Sequence, residues 1–369
     1  MNPRTSRIML HDERGGRMMA IPTKLPKELT GPSVWTGWDM RTRRSEWIID
    51  LTADDIEDLE QAARQYLSLE RDIGEITKPA FPLKRFHRHL ASLREKLING
   101  IGFEVIRGLP VQNYTQEVAA TIFCGVGAHM GSARSQNAQG HILGHVRDIG
   151  ADANDPNTRI YQTHERQTFH TDSADIVGLL CLREAKEGGD SLLVSAETIY
   201  NRMRSECPEL LELLFDPIAT DRRGEVPDGM EPFMSIPPFS WHDGKLTVFY
   251  KRQYIVSAQR FPEAMRLTPD HIEALDRFDA LANDPDLCLS MRLQPGDMQF
   301  VYNHSQLHDR TGFVDWPDRA ERRHLLRLWL SPEGDRELPE VFRQRYGTIE
   351  VGQRGGIITE GTRLHAPLD

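Results

Sequence analysis

A mainly β fold with flanking helices, of the sandwich or barrel kind, is predicted by two observations. From Gly131 to about residue 330 the chain breaks into short β-type runs separated by Gly, Pro, Asp and Asn, and many short strands in series need a second sheet or a closed one to bury their apolar faces. Before Gly131 the apolar spacing is helical, so helices flank the β part rather than alternate with its strands.

Residues 1–45 are rich in Arg, Pro and Gly without a sustained period and read as an N-terminal arm, mobile or draped over the rest. Thr52 then caps a helix with acids in its first turn and Ile56, Leu59 and Ala63 on one face. A second helix over 86–99 stops at Asn99-Gly100, a short β run starts at Phe103 and closes at Gly108 and Pro110, and a third helix covers 115–130. The strand candidates are 142–146, 176–182, 191–194, 245–250, 287–293, 299–302 and 324–330. Helices interrupt them at 196–206, with Pro208 as the stop, and at 269–283.

Charge and composition exclude several classes. The net charge of −10 is a small difference between 45 basic and 55 acidic side chains, and 39% of residues are hydrophobic, so the chain can build a core. The acidic balance argues against a dedicated nucleic-acid surface, and the basic run Lys84 to His89 reads as a solvated helix face. Four widely separated cysteines with no C-x-x-C pair suggest neither disulfides nor a zinc ribbon. The apolar run at 176–182, broken by Gly178, is far below the roughly 18 residues of a membrane span, and the charged first twenty residues do not resemble a secretory signal, so a cytoplasmic protein is expected. At about 150 residues per domain the length alone suggests two domains.

The chemistry concentrates in three segments. In Gln167-Thr-Phe-His170-Thr-Asp172, residues i and i+2 of an extended chain share a face, so His170 and Asp172 can present ligand atoms to one metal ion. H-x-D alone is weak, but a turn at Pro295-Gly296-Asp297 leads into a strand expected to deliver Asn303, His304 and His308 close together. Two imidazoles and one carboxylate, with no cysteine nearby to close the sphere, is the ligand set of non-haem Fe(II) oxygenases, which leave positions open for reactants. In the third segment Arg323, Leu325 and Arg327 share a strand face, so two guanidinium groups can point inward and would then need carboxylate partners, either a ligand's or the protein's own Asp or Glu.

With these motifs in order, Gly102-Phe-Glu-Val-Ile-Arg-Gly-Leu-Pro110, His170-Thr-Asp172, Gly188-Gly-Asp-Ser191, Asn303-x4-His308 and Arg323-x3-Arg327, the chain resembles the TauD/TfdA family of Fe(II)- and 2-oxoglutarate-dependent dioxygenases over about residues 101–330. The resemblance implies a double-stranded β-helix, or jelly roll, in which His170, Asp172 and His308 hold Fe(II) while 2-oxoglutarate and O2 are consumed and succinate and CO2 released. It selects His308 over His304, which becomes a neighbouring or pocket residue. It also implies that Arg323, rather than Arg322, anchors the far carboxylate of 2-oxoglutarate, that Ser191 stands where threonine is usual and hydrogen-bonds the same group, and that Arg327 touches substrate or cosubstrate. Asp172 being an acid argues against the related halogenases, in which that position is Gly or Ala.

A small, anionic or amino-acid-like substrate is expected, with Arg166 and Arg327 as anion-binding groups and Tyr161, Phe169, His304 and Trp329 shaping the pocket. Hydroxylation is the favoured outcome, with desaturation, epoxidation or cyclisation as alternatives; a zinc hydrolase and a non-catalytic metal-binding jelly roll stay open, and so does homo-oligomerisation. Because ligands and arginine are far apart in sequence yet must converge, one domain over 46–369 replaces two, with a helical part at about 46–130 and a β core at about 131–335.

Overall fold

The computed structural model describes residues 25–152, 158–227, 229–357 and 362–368. Its larger sheet has seven strands, in the order Ile48–Asp50, Phe103–Arg107, Met298–Tyr302, Ile176–Arg183, His324–Ser331 and Ser132–Ala133, with Leu143–Val146 also pairing on His324–Ser331. Only the pair formed by Ile48–Asp50 and Phe103–Arg107 is parallel. A second sheet of four antiparallel strands runs Leu289–Met291, Ser191–Ser195, Gln306–Arg310 and Gln167–His170.

The period of two decides which core each side chain joins. On His324–Ser331, Leu326, Leu328 and Leu330 pack with the helices Ala53–Leu67, His87–Asn99 and Gln116–Met130. Leu325 turns the other way, into a core shared with Leu193, Leu289 and Met291 of the four-stranded sheet. The outer side of that smaller sheet, through Phe169, Val194 and Leu307, is covered by the helices Ala196–Glu206 and Pro269–Ala282. Residues 323, 325, 327 and 329 therefore share the face turned away from the helical layer, and those of them that are charged need buried partners.

Local chemistry accounts for the element ends. Thr52 caps its helix reciprocally with Asp55, and Thr115 and Thr268 cap theirs. The helix Ala196–Glu206 ends just before Pro208 as expected, and Pro208 also opens a further helix, Pro208–Leu213, because proline lacks the amide that the first turn leaves unpaired anyway. The strand expected at 299–302 is found as Met298–Tyr302; a turn over 303–305 follows it, and His308 lies on a further strand, Gln306–Arg310, in the other sheet. The N-terminal arm is draped where it is described: Trp35 is buried in the inter-sheet core with its indole N–H donating to the Ile101 carbonyl at 2.9 Å, and a short helix spans Gly37–Thr42. Its first 24 residues lie outside the described residues.

Two of the sequence motifs serve the scaffold. Arg107 forms a bidentate pair with Asp297, Nε–Oδ1 3.0 Å and Nη2–Oδ2 2.7 Å, which ties the Phe103–Arg107 strand to the turn before Met298. Gly296 in that turn has φ +91°, and a Cβ there would lie 1.9 Å from the Leu109 carbonyl oxygen, so only glycine fits.

At the start of the Arg327 strand, burial and then the neighbouring His145, Arg147 and Arg183 push the His324 imidazole down to about 3. Its folded state favours the neutral ring, so the unfolded chain takes up the proton first, near the ordinary value of about 6.5. The stability this supplies is present above about pH 6.5 and is lost as the pH falls toward the folded value, on the order of 2 kcal/mol by about pH 5. Thermal melting of the metal-free protein between about pH 6.5 and 4 should therefore show a shallower acid dependence in His324→Gln than in the wild type.

Candidate metal centre between the two sheets

His170 closes the Gln167–His170 strand, and His308 sits directly opposite it on Gln306–Arg310, so the two rings stand with centroids 4.2 Å apart. Asp172 follows in the loop, with Oδ1 3.7 Å from His170 Nε2 and Oδ2 3.7 Å from His308 Nε2. One ligand atom from each of the three lies within 4.8 Å of the others.

His170 and Asp172 are held by further contacts. His170 Nδ1 lies 2.9 Å from the Thr168 carbonyl, an acceptor that keeps the proton on Nδ1 and leaves the Nε2 lone pair for a metal. Burial, then His308 and Lys251, hold its pKa well below the ordinary histidine value, so the ring stays neutral as a ligand must. Burial alone would raise the Asp172 carboxyl, but Arg327, followed by His308 and His170, keeps it ionised well below the usual carboxylate range. Oδ2 of Asp172 accepts from Arg327 Nη1 at 3.1 Å and from the Trp329 indole at 2.9 Å. Asn303 locks the loop: its Oδ1 accepts from the Asp172 amide at 2.9 Å and its Nδ2 donates to the carbonyls of Asp172 and Ala174. The asparagine of Asn303-x4-His308 is thus a clamp on the other segment of the site.

Two cavities meet at this triad. One is lined by His170, His308, Ser191, Arg310, Arg323 and Arg327 between apolar walls that include Val177, Leu179 and Leu325. Arg323 is buried, its Nη1 has no hydrogen-bond partner, and burial lowers its pKa to about 10. Arg322, by contrast, is turned to the loop carbonyls of Trp316 and Pro317. Ser191 Oγ, on the same cavity, donates to Gln299 Oε1 at 3.0 Å. Glycines of the Gly188-Gly-Asp-Ser191 turn make room for the arginine: Gly189, at φ +75°, would place a Cβ 2.9 Å from Arg323 Nε. The second cavity opens beside Asp172 and shares Tyr161, Gln167 and Arg327 with the first.

Several expected pocket residues are elsewhere. Arg166 is engaged by Asp309, with Nε–Oδ2 3.0 Å, and by Asn283, and lines neither cavity. Phe169 alternates with His170 and points into the outer core instead of the pocket. His304 Nε2 donates to Asp175 Oδ1 at 2.7 Å inside a buried network with Asp335 and Arg354. Asp175, His304 and Asp335 could together hold a metal, but Arg354 already bridges both carboxylates and supplies the cation there. Tyr161 does face the site, with the Arg327 guanidinium 4.7 Å from its ring centre. Sequence reasoning missed Gln167, whose amide lies 2.9 Å from His170 Nε2, and Arg310, which shares the Phe313 ring with Arg323; no spacing rule marks either.

The donor set suits Fe(II): two imidazoles and one carboxylate without thiolate. The orphaned Arg323 nitrogen suits an incoming carboxylate. Site and fold agree with the comparisons, since the model of the taurine catabolism dioxygenase TauD, TfdA family matches residues 65–329, and the chain belongs to that family. It is accordingly an oxidoreductase, an Fe(II)- and 2-oxoglutarate-dependent dioxygenase that uses O2, which removes the zinc hydrolase and the non-catalytic metal protein as readings. FR-33289 synthase of Streptomyces rubellomurinus is 34% identical over 333 residues, covering 88% of this chain and 96% of that protein. Taurine hydroxylase-like protein SAT17 of Stachybotrys chartarum is 27% identical over 339 residues, 87% of this chain and 86% of its own. Among solved structures, asparagine oxygenase in complex with Fe(II), 2S,3S-3-hydroxyasparagine and succinate superposes with a TM-score of 0.61 at 18% identity, over 77% of this chain and 93% of that one. Among the described residues no helix is long and apolar enough to cross a membrane.

Proposed function

We propose that His170, Asp172 and His308 hold the iron, that Arg323 with Ser191 receives the far carboxylate of 2-oxoglutarate, and that the protein hydroxylates a small anionic molecule entering from the Asp172 side. The observation that carries this reading is the triad at the seam of two cavities, one of which ends on a buried guanidinium nitrogen with no partner. When bound, iron and 2-oxoglutarate supply the oxidation of a substrate C–H with release of succinate and CO2.

The chain's own residues bind and orient. Arg327 and Trp329 hold one oxygen of Asp172, and Asn303 holds its backbone, so the carboxylate faces the histidines in one orientation. Arg323 suits a carboxylate delivered in one direction, because a guanidinium fork in a dry pocket binds it strongly and directionally. Val177, Leu179 and Leu325 line the same cavity and exclude water from the reactants. The two larger sheets, with the helices outside them, fit a double-stranded β-helix, and four free, buried cysteines suit a reducing, cytoplasmic location.

The test is a screen of small acids, with the iron-loaded protein, for stimulated succinate release. Stimulation by an anionic compound, with that compound recovered one oxygen heavier, is the expected result. Recovery of a product two hydrogens lighter would refute hydroxylation in favour of desaturation.

A further inference from the structure

The cleft beside Asp172 carries far more positive charge than the metal centre uses. Arg159, Arg222, Arg223, Lys251 and Arg345 all line it, and among the residues lining it they face one carboxylate other than Asp172, that of Glu225. Glu225 is paired with Arg159, and Asp172 is taken by Arg327.

The cations are anchored by groups that carry no net charge. Arg222, 3% exposed, donates to the carbonyls of Glu231 at 2.9 Å and Gln344 at 2.6 Å. Arg345 donates to the Ser173 hydroxyl. Such contacts satisfy N–H groups and fix the guanidinium planes, but leave the charge uncompensated. Arg223 sits at φ 54°, its buried Nε without a partner, and its guanidinium lies 4.8 Å from the Tyr254 ring centre. Lys251 Nζ stands 4.1 Å from the same ring, so Tyr254 is a platform holding two cations together. The mutual repulsion is visible in the titrating groups: burial, and then Arg345, lower Arg222 to about 10. Burial raises the Tyr254 phenol, yet Lys251, Arg159 and Arg223 more than offset this and bring it below its ordinary value.

We propose that this cleft is a subsite for a phosphoryl dianion, the tetrahedral end group common to phosphate monoesters and phosphonates, carried by the molecule that the metal centre oxidises. This deepens, and rests on, the reading of the triad as the iron site. A carboxylate or sulfonate brings one negative charge, whereas a phosphoryl group near neutral pH brings close to two and three strong acceptor oxygens, enough to engage several forks at once. Thr171, Asp172 and Tyr161 line the same cleft, so a ligand seated by this group extends toward the metal.

Calorimetric titration of the metal-free full chain with methylphosphonate, methyl phosphate, methanesulfonate and acetate tests the proposal. At least one phosphoryl probe should bind tenfold or more tighter than methanesulfonate, and lose affinity as the pH falls through the second phosphoryl pKa of about 6. Preference for methyl phosphate would assign an ester substrate and preference for methylphosphonate a phosphonate, either of which supports the subsite. Arg223→Gln and Arg345→Gln should each weaken that binding tenfold or more, while the visible band that Fe(II) and 2-oxoglutarate form anaerobically keeps its wild-type midpoint. Wild-type protein that forms the band but binds methylphosphonate and methyl phosphate no tighter than methanesulfonate overturns the subsite and leaves the oxygenase site intact. Tight phosphoryl binding without any band would instead refute the iron-site reading.

Discussion

Replacing Arg323 by alanine should weaken 2-oxoglutarate binding by about 100-fold or more while leaving Fe(II) affinity near the wild-type value. The magnitude follows from removing one partner of a buried charge pair, which costs roughly 3–5 kcal/mol. The selectivity follows from position, because among the described residues Arg323 has no hydrogen bond or ion pair with the three candidate ligands, whereas Arg327 bonds directly to Asp172. The same variant should melt within a few degrees of the wild type when no ligand is present. Its guanidinium is a buried cation with an unpartnered nitrogen, already disfavoured enough for burial to lower its pKa to about 10, so the unliganded protein loses little with it. Anaerobic titration with 2-oxoglutarate and thermal melting measure the two effects. Unchanged cosubstrate affinity would remove Arg323 from the cosubstrate site.

A second large effect is expected from His308→Ala. Partners that only orient a metal ligand cost about 10–100-fold in affinity when removed, so deleting a ligand should exceed about 100-fold in Fe(II) binding and abolish succinate release. His308 Nδ1 has no hydrogen-bond partner, and the strand around it is held by backbone pairing to two neighbours. The apo variant should therefore keep its fold, and equilibrium dialysis with Fe(II) isolates the loss. His304→Ala should behave in the opposite way, with iron binding retained but stability reduced, because His304 bonds to Asp175 in the Arg354 network.

Much of the fold was legible where a local rule dominates. Thr52, Thr115 and Asn99-Gly100 mark helix ends through backbone groups that need partners, and the apolar strands stand out by their side-chain pattern. Pro208 marked the end of the helix Ala196–Glu206 but hid the start of the next one, because a residue that terminates one helix is also at home in the first turn of another. The turn at 303–305 was hidden because Asn303, His304 and Ser305 carry no glycine or proline. What bends the chain there includes the Asn303 side chain reaching across to Asp172, a contact distant in sequence.

The site divides in the same way. His170, Asp172, His308 and Arg323 could be found because each sits in a short ordered motif. Arg166 and Phe169 lie in the same stretch as His170, yet the alternation of the strand and the carboxylate of Asp309 direct them away from the pocket. The cations of the second cleft come from segments scattered between residues 159 and 345, and only the folded chain brings them to one cavity. No spacing in the sequence encodes that meeting.

The most direct measurement of the central claim is the anaerobic titration of Fe(II)-loaded protein with 2-oxoglutarate, followed through the weak visible charge-transfer band. The band should saturate at one equivalent in the wild type, shift to much higher 2-oxoglutarate concentration in Arg323→Ala, and be absent in His308→Ala. A band that forms in both variants with the wild-type midpoint would contradict the assignment of the iron and its cosubstrate to this pocket.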